Sequence, residues 1–171
     1  MKMKRHQARD RGLLLPCLLC AIVLFSTTSA VAQQSAAEGT WRLMSRKLPD
    51  GTSVTPPTVM GVGSWSNGYR NLNVLWKDPD GAAFSYSVVS TYKFTATEYT
   101  ETLTYTVLNN PTTGKATVVN LSGETKSAPI KATDHRVELK LPFDLPAIVV
   151  EGDTLIATAE GAFVDYWERV K

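Results

Sequence analysis

Residues 99–108 alternate without a break: Tyr99, Glu101, Leu103, Tyr105 and Val107 fall on one side, and Thr100, Thr102, Thr104 and Thr106 on the other. A period of two places successive side chains on opposite faces of an extended chain. A β-branched polar face backed by an aromatic and aliphatic one is the pattern of a half-buried strand. From Gly39 onward no long stretch carries apolar residues at helical spacing. Strands with no helix to cover them bury their apolar faces against one another, in a sheet closed or nearly closed on itself.

The rest of the chain supplies strands in succession. Residues 39–48 alternate Trp41, Leu43 and Ser45 against Arg42, Met44 and Arg46, and Pro49-Asp50-Gly51 ends the run. Residues 52–68 hold Pro56, Pro57, Gly61, Gly63 and Gly68. That density argues against a central strand and predicts a long first loop with a short strand near Met60. Residues 70–77 form a strand stopped by Asp78-Pro79-Asp80-Gly81, and residues 82–94 follow with Phe84, Tyr86, Val88, Tyr92 and Phe94 on one face. Shorter patterns cover 116–121 and 126–132, residues 135–141 alternate through Val137 and Leu139, and a last hairpin pairs 154–159 with 162–170 across Glu160-Gly161. Together they predict an all-β fold, an up-and-down antiparallel barrel of about eight or nine strands, a size whose interior holds one small ligand.

Residues 1–32 read as an export signal. Lys2, Lys4, Arg5, Arg9 and Arg11 precede an apolar run over 13–25 broken by Pro16, and the segment ends in Ala30-Val31-Ala32, the small-x-small pattern of a cleavage site. The run is short for a membrane span of about 20 residues. Cys17 follows Pro16 and Cys20 follows Leu19, where lipid attachment requires a small residue. The expectation is one domain over 33–171, periplasmic or secreted, with no stable membrane anchor after cleavage. Five cations and one anion, Asp10, lie in this segment, so its removal turns the formal charge from +2 to about −2, and no nucleic-acid partner is implied. Both cysteines leave with it, and the domain relies on its core rather than on a disulfide.

The two ends of the domain carry a resemblance. Gly39-Thr40-Trp41-Arg42-Leu43 and Asp165-Tyr166-Trp167-Glu168-Arg169-Val170 resemble the terminal strands of the calycins, the group that contains lipocalins and fatty-acid-binding proteins. Asn73-Val74-Leu75-Trp76-Lys77-Asp78 and Glu151-Gly152-Asp153-Thr154-Leu155 are similar to the smaller lipocalin-like domains of bacterial exported proteins. The resemblance implies a barrel whose Trp41 ring lies across the closed end under the Arg169 guanidinium, a structural latch between first and last strands. It also implies a monomer that holds a small apolar or amphipathic molecule inside. In the fatty-acid-binding branch an inward arginine of the last strand holds the lipid carboxylate. The corresponding position here is Asp165, so fatty-acid binding does not carry over.

Glu101 and Asp165 sit on faces that otherwise look inward, and an ionised carboxylate in an apolar interior is costly without a partner. Each either pairs with Arg169, Arg70 or a tyrosine hydroxyl, or faces solvent because the strand parity is reversed, or joins Tyr86, Tyr92, Tyr99, Tyr105 and Trp167 as an anchor point of an aromatic ligand pocket. Met60 and Trp65 of the first loop would form a lid at its mouth. No catalytic residue, metal site or cofactor is predicted. Beyond the signal the one histidine is His135, no cysteine remains, and no Asp-x-Asp-x-Asp-Gly loop occurs. Two alternative functions remain: an acid–base enzyme of isomerase, cyclase or dehydratase type using the inward carboxylates and tyrosines, and a structural or interaction module of the cell envelope, suggested by the threonine-rich outer faces. Asn120-Leu121-Ser122 matches a glycosylation acceptor, a pattern short enough to arise by chance.

Overall fold

The computed structural model describes residues 35–113, 117–120, 122–133, 135–144 and 146–171, so the predicted signal segment lies outside the described residues. The strands are β1 (Gly39–Lys47), β2 (Ser53–Val54), β3 (Val59–Ser66), β4 (Tyr69–Lys77), β5 (Ala83–Phe94), β6 (Glu98–Asn109), β7 (Thr117–Asn120), β8 (Thr125–Ala132), β9 (Arg136–Lys140), β10 (Ala147–Glu151), β11 (Thr154–Ala159) and β12 (Phe163–Arg169). Neighbours pair antiparallel, and β12 pairs back onto β1, so β1, β3 to β6 and β8 to β12 close into an up-and-down barrel of 10 strands. β2 borders β1 at Arg46 and Lys47, beyond the part that β3 covers, and β7 borders the far half of β6, beyond the part that β8 covers.

The barrel has more strands than the eight or nine expected from the sequence. The strand expected over 116–121 is β7, which among the described residues pairs only with β6, outside the barrel, and two other strands join the wall. β10 follows Pro146, where no strand is expected, and β3, Val59–Ser66, extends the short strand expected near Met60 over about half of the segment expected as a loop. The prolines of that segment are confined to the β2–β3 connection, which leaves residues 59–66 free to pair with β1 on one side and β4 on the other. One of its glycines answers a distant side chain: a Cβ on Gly61 would stand 2.8 Å from the Trp167 indole.

Two β-bulges decide which residues face inward. Between β1 and β12 the register shifts between Leu43 and Ser45, so Met44 is the extra residue and Arg46 joins Trp41 and Leu43 on the inner face. Between β5 and β6 the shift falls beside Ser90 and leaves Thr104 as the extra residue. Tyr99, Glu101 and Leu103 therefore face in, while beyond the bulge Thr106 and Leu108 replace Tyr105 and Val107 on that face.

At the end where β1 begins, Trp41 and Arg169 are register partners, with the Arg169 Cζ 4.2 Å from the indole centroid. Arg169 also donates to the carbonyls of Ala36 (2.7 Å) and Glu38, and the Trp41 N–H donates to the Ala37 carbonyl at 2.9 Å. Gly39 has φ +129°, and an added Cβ there would collide with the Arg169 guanidinium. The Gly-x-Trp sequence thus has a steric cause: glycine makes the room in which arginine covers the indole.

Candidate functional site

The barrel encloses a cavity of about 800 Å³, and all four tryptophans of the chain, Trp41, Trp65, Trp76 and Trp167, contribute to its lining. Leu72, Val74, Ile148 and Leu155 add aliphatic wall. The lining extends to Asp50, Thr52, Lys77 and Asp78, at the end opposite the Trp41–Arg169 contact, where β1 and β4 run out.

Two ion-pair groups cross this interior. In the first, Arg46 Nε and Nη2 donate to the two oxygens of Asp165 at 2.6 and 2.7 Å, with the guanidinium 4.0 Å from the Phe163 ring centroid. Burial pushes the Asp165 carboxyl above its ordinary pKa, and the two bonds from Arg46 oppose that shift. In the second, Arg70, 1% exposed, donates through Nη1 to Glu101 Oε1 at 2.8 Å and through Nη2 to Asp144 Oδ2. The Tyr86 hydroxyl donates to the other Asp144 oxygen at 2.6 Å, and the Ser90 hydroxyl donates to Glu101 Oε1. Burial works against the Arg70 charge, but the carboxylates of Asp144 and Glu101 outweigh it and hold its pKa above the ordinary value. Burial, then the neighbouring Asp144 charge, raises the pKa of Tyr86. Among the described residues Arg70 Nε, Glu101 Oε2 and Trp167 Nε1 are buried without a hydrogen-bond partner.

The residues expected to form a ligand pocket separate into three groups. Tyr86, Asp165 and Trp167 line the cavity. Tyr92, Tyr99 and Glu101 face inward without lining it. Tyr92 and Tyr99 pack with Phe94 in an aromatic cluster, with ring centroids 4.8 to 6.2 Å apart, and the Tyr92 hydroxyl donates to Glu38 at 2.9 Å. Glu101 lies behind the wall, held by Arg70 and Ser90. Tyr105 is turned to the other face by the Thr104 bulge and takes no part in the lining.

The expected lid of Met60 and Trp65 does not form. Both sit on β3, a wall strand whose alternation sends Met60 outward, 42% exposed, and Trp65 inward, where its N–H donates to the Tyr99 hydroxyl at 3.3 Å. The ion-paired lining residues Arg46, Arg70 and Asp144 are not among the expected pocket residues. Asp144 had a signal: it is the one charged residue in an apolar, proline-bracketed run from Leu141 to Pro146.

The arrangement can hold an apolar body against indole and aliphatic walls and offer polar contacts at Asp144, Tyr86 and the Arg46–Asp165 pair. Among the described residues no group of three or more His, Cys, Asp and Glu side chains is placed to hold a metal ion. No family model matches the chain, and comparison with curated proteins and with solved structures finds no significant match.

Proposed function

We propose that the protein is an exported, lipocalin-like binding protein, periplasmic or secreted and monomeric, that holds a small, mostly apolar molecule inside its barrel. The observation that carries this function is the cavity of about 800 Å³. Small-molecule sites occupy about 300–1,000 Å³ and combine apolar walls with a few placed polar groups. The closed up-and-down barrel and the Trp41–Arg169 contact between first and last strands support the lipocalin-like assignment.

Binding is favoured over acid–base catalysis by the state of Glu101 and Asp165. Glu101 is fully buried behind the wall, and both oxygens of Asp165 are engaged by Arg46. A proton-transfer group needs hydrogen-bond reach to the substrate. Binding is favoured over a purely structural module by the cavity itself, because an interior serving only as a core packs to the density of an organic crystal.

The test is native mass spectrometry of protein purified from its source, followed by solvent extraction. One apolar compound at stoichiometric occupancy is expected. A bare mass, with no compound taken up from a total organic extract of the source, would contradict the proposal.

A further inference from the structure

The ionisable side chains enclosed by the barrel do not balance. Among the described residues the buried cations are Arg46 and Arg70, and the buried carboxylates that face them are Asp165, Glu101 and Asp144. Counted by formal charge, they leave one negative charge in excess. The excess belongs to the Arg70 group, where one guanidinium serves two carboxylates. Within that group Glu101 Oε2 is buried with no partner, and Asp144 forms part of the cavity wall. The lining at the end opposite the Trp41–Arg169 contact leans the same way, with Asp50 and Asp78 against Lys77.

The tryptophans give an independent sign. Arg169 lies 4.2 Å from the Trp41 ring centroid, Arg70 5.4 Å from that of Trp65, and Arg46 5.5 Å from that of Trp76. Among the described residues Trp167 is the one tryptophan over which no protein cation lies, and it lines the cavity. Indole faces attract cations through the ring quadrupole, most strongly where water is excluded.

We propose that the lumen selects a monocationic molecule with an apolar body, a hydrophobic amine or quaternary ammonium, over neutral or anionic molecules of the same length. This rests on the reading of the lumen as a ligand site. An ammonium group entering the cavity brings the enclosed charge to zero and meets both Asp144 and aromatic surface. A carboxylate would double the excess in a medium that screens charge less than water does.

The test is a matched series: decyltrimethylammonium, 1-decanol and decanoate, each below its micelle concentration at pH 7, titrated into the full mature protein. Binding is read by intrinsic tryptophan fluorescence and by calorimetry. Decyltrimethylammonium is expected to bind at least about tenfold more tightly than decanol, with decanoate the weakest, a ratio that a modestly screened charge contact supplies. Asp144→Asn removes the excess charge and is expected to cut the ratio of decyltrimethylammonium to decanol affinity about tenfold. Glu101→Gln removes the same charge from behind the wall and serves if Asp144→Asn does not fold. Equal affinities in the wild type, a preference for decanoate, or an unchanged ratio in a folded variant would overturn the charge inference and leave the lumen as a ligand site. Absence of binding by all three probes would overturn both.

Discussion

Arg46 and Asp165 stand directly opposite one another across the β1–β12 seam, and their side chains meet inside the barrel in a two-pronged ion pair. The pair is internal because the bulge at Met44 turns Arg46 inward. It therefore joins the first and last strands from within, at the end of the seam away from Trp41 and Arg169.

A buried pair of this kind costs most when half of it is removed. Asp165→Leu leaves the Arg46 guanidinium buried without its counter-charge and should destabilise the fold by about 3–5 kcal/mol, and Arg46→Met should act similarly on Asp165. The double variant Arg46→Met/Asp165→Leu should be more stable than either single one, because two apolar side chains of similar volume need no counter-charge. Urea unfolding midpoints of the four proteins check this. Singly substituted variants as stable as wild type would show that the pair does not hold the seam.

The contact at the other end of the seam is chiefly one of packing. Trp41 is fully buried, so Trp41→Ala should cost about 3–5 kcal/mol and lower the melting temperature strongly. Gly39→Ala should also destabilise, by about 1 kcal/mol or more, because its φ is positive and its missing Cβ makes room for Arg169. Calorimetric melting of both variants measures the effect. An unchanged melting temperature for Trp41→Ala would remove the latch.

Gly61 is a specific demand of Trp167. Gly61→Val places side-chain atoms where the indole now lies, and should cost about 1–3 kcal/mol while shifting tryptophan emission. Emission spectra and denaturation curves report both effects. A neutral substitution would mean that β3 yields at this point.

Tyr86, Tyr92 and Tyr99 resist ionisation, because burial raises the pKa of each. The sign follows from the neutral phenol being the favoured form in the folded state. Its contribution to stability is fully present below the unfolded value of about 10, and is lost as pH rises from there through the raised folded values. Phenolate absorbance at alkaline pH should therefore appear for these three residues only as the protein unfolds. Their titration in a still-folded protein would contradict this burial.

Much of the wall was legible in the sequence, for local reasons. Alternation marked β5 and the first half of β6, and turn residues such as Asp78-Pro79-Asp80-Gly81 stopped strands where the chain does turn. What was not legible depends on partners far away in the chain. A bulge is set by pairing rather than by composition, so nothing near Met44 or Thr104 announced that Arg46 would turn in and Tyr105 out. The full length of β3 was not legible beyond a short strand near Met60, because Gly61 suits a long strand only once the ring of Trp167 is known to lie against it. For the same reason the carboxylates Glu101 and Asp165 could be placed inward from alternation, whereas Asp144, in the irregular connection between β9 and β10, could not.

If the interior is a ligand cavity and not a core, filling it at Ala157 abolishes binding without unfolding the barrel. Ala157 lies on the cavity wall, so Ala157→Phe places a ring in the lumen while keeping the strand apolar. The measurement is fluorescence titration of wild type and Ala157→Phe with the apolar reporter 1-aminoanthracene, with thermal melting to establish that both are folded. Saturable one-to-one binding by wild type that is lost in folded Ala157→Phe is the predicted result. No saturable binding by wild type, or equal binding by both proteins, would contradict it.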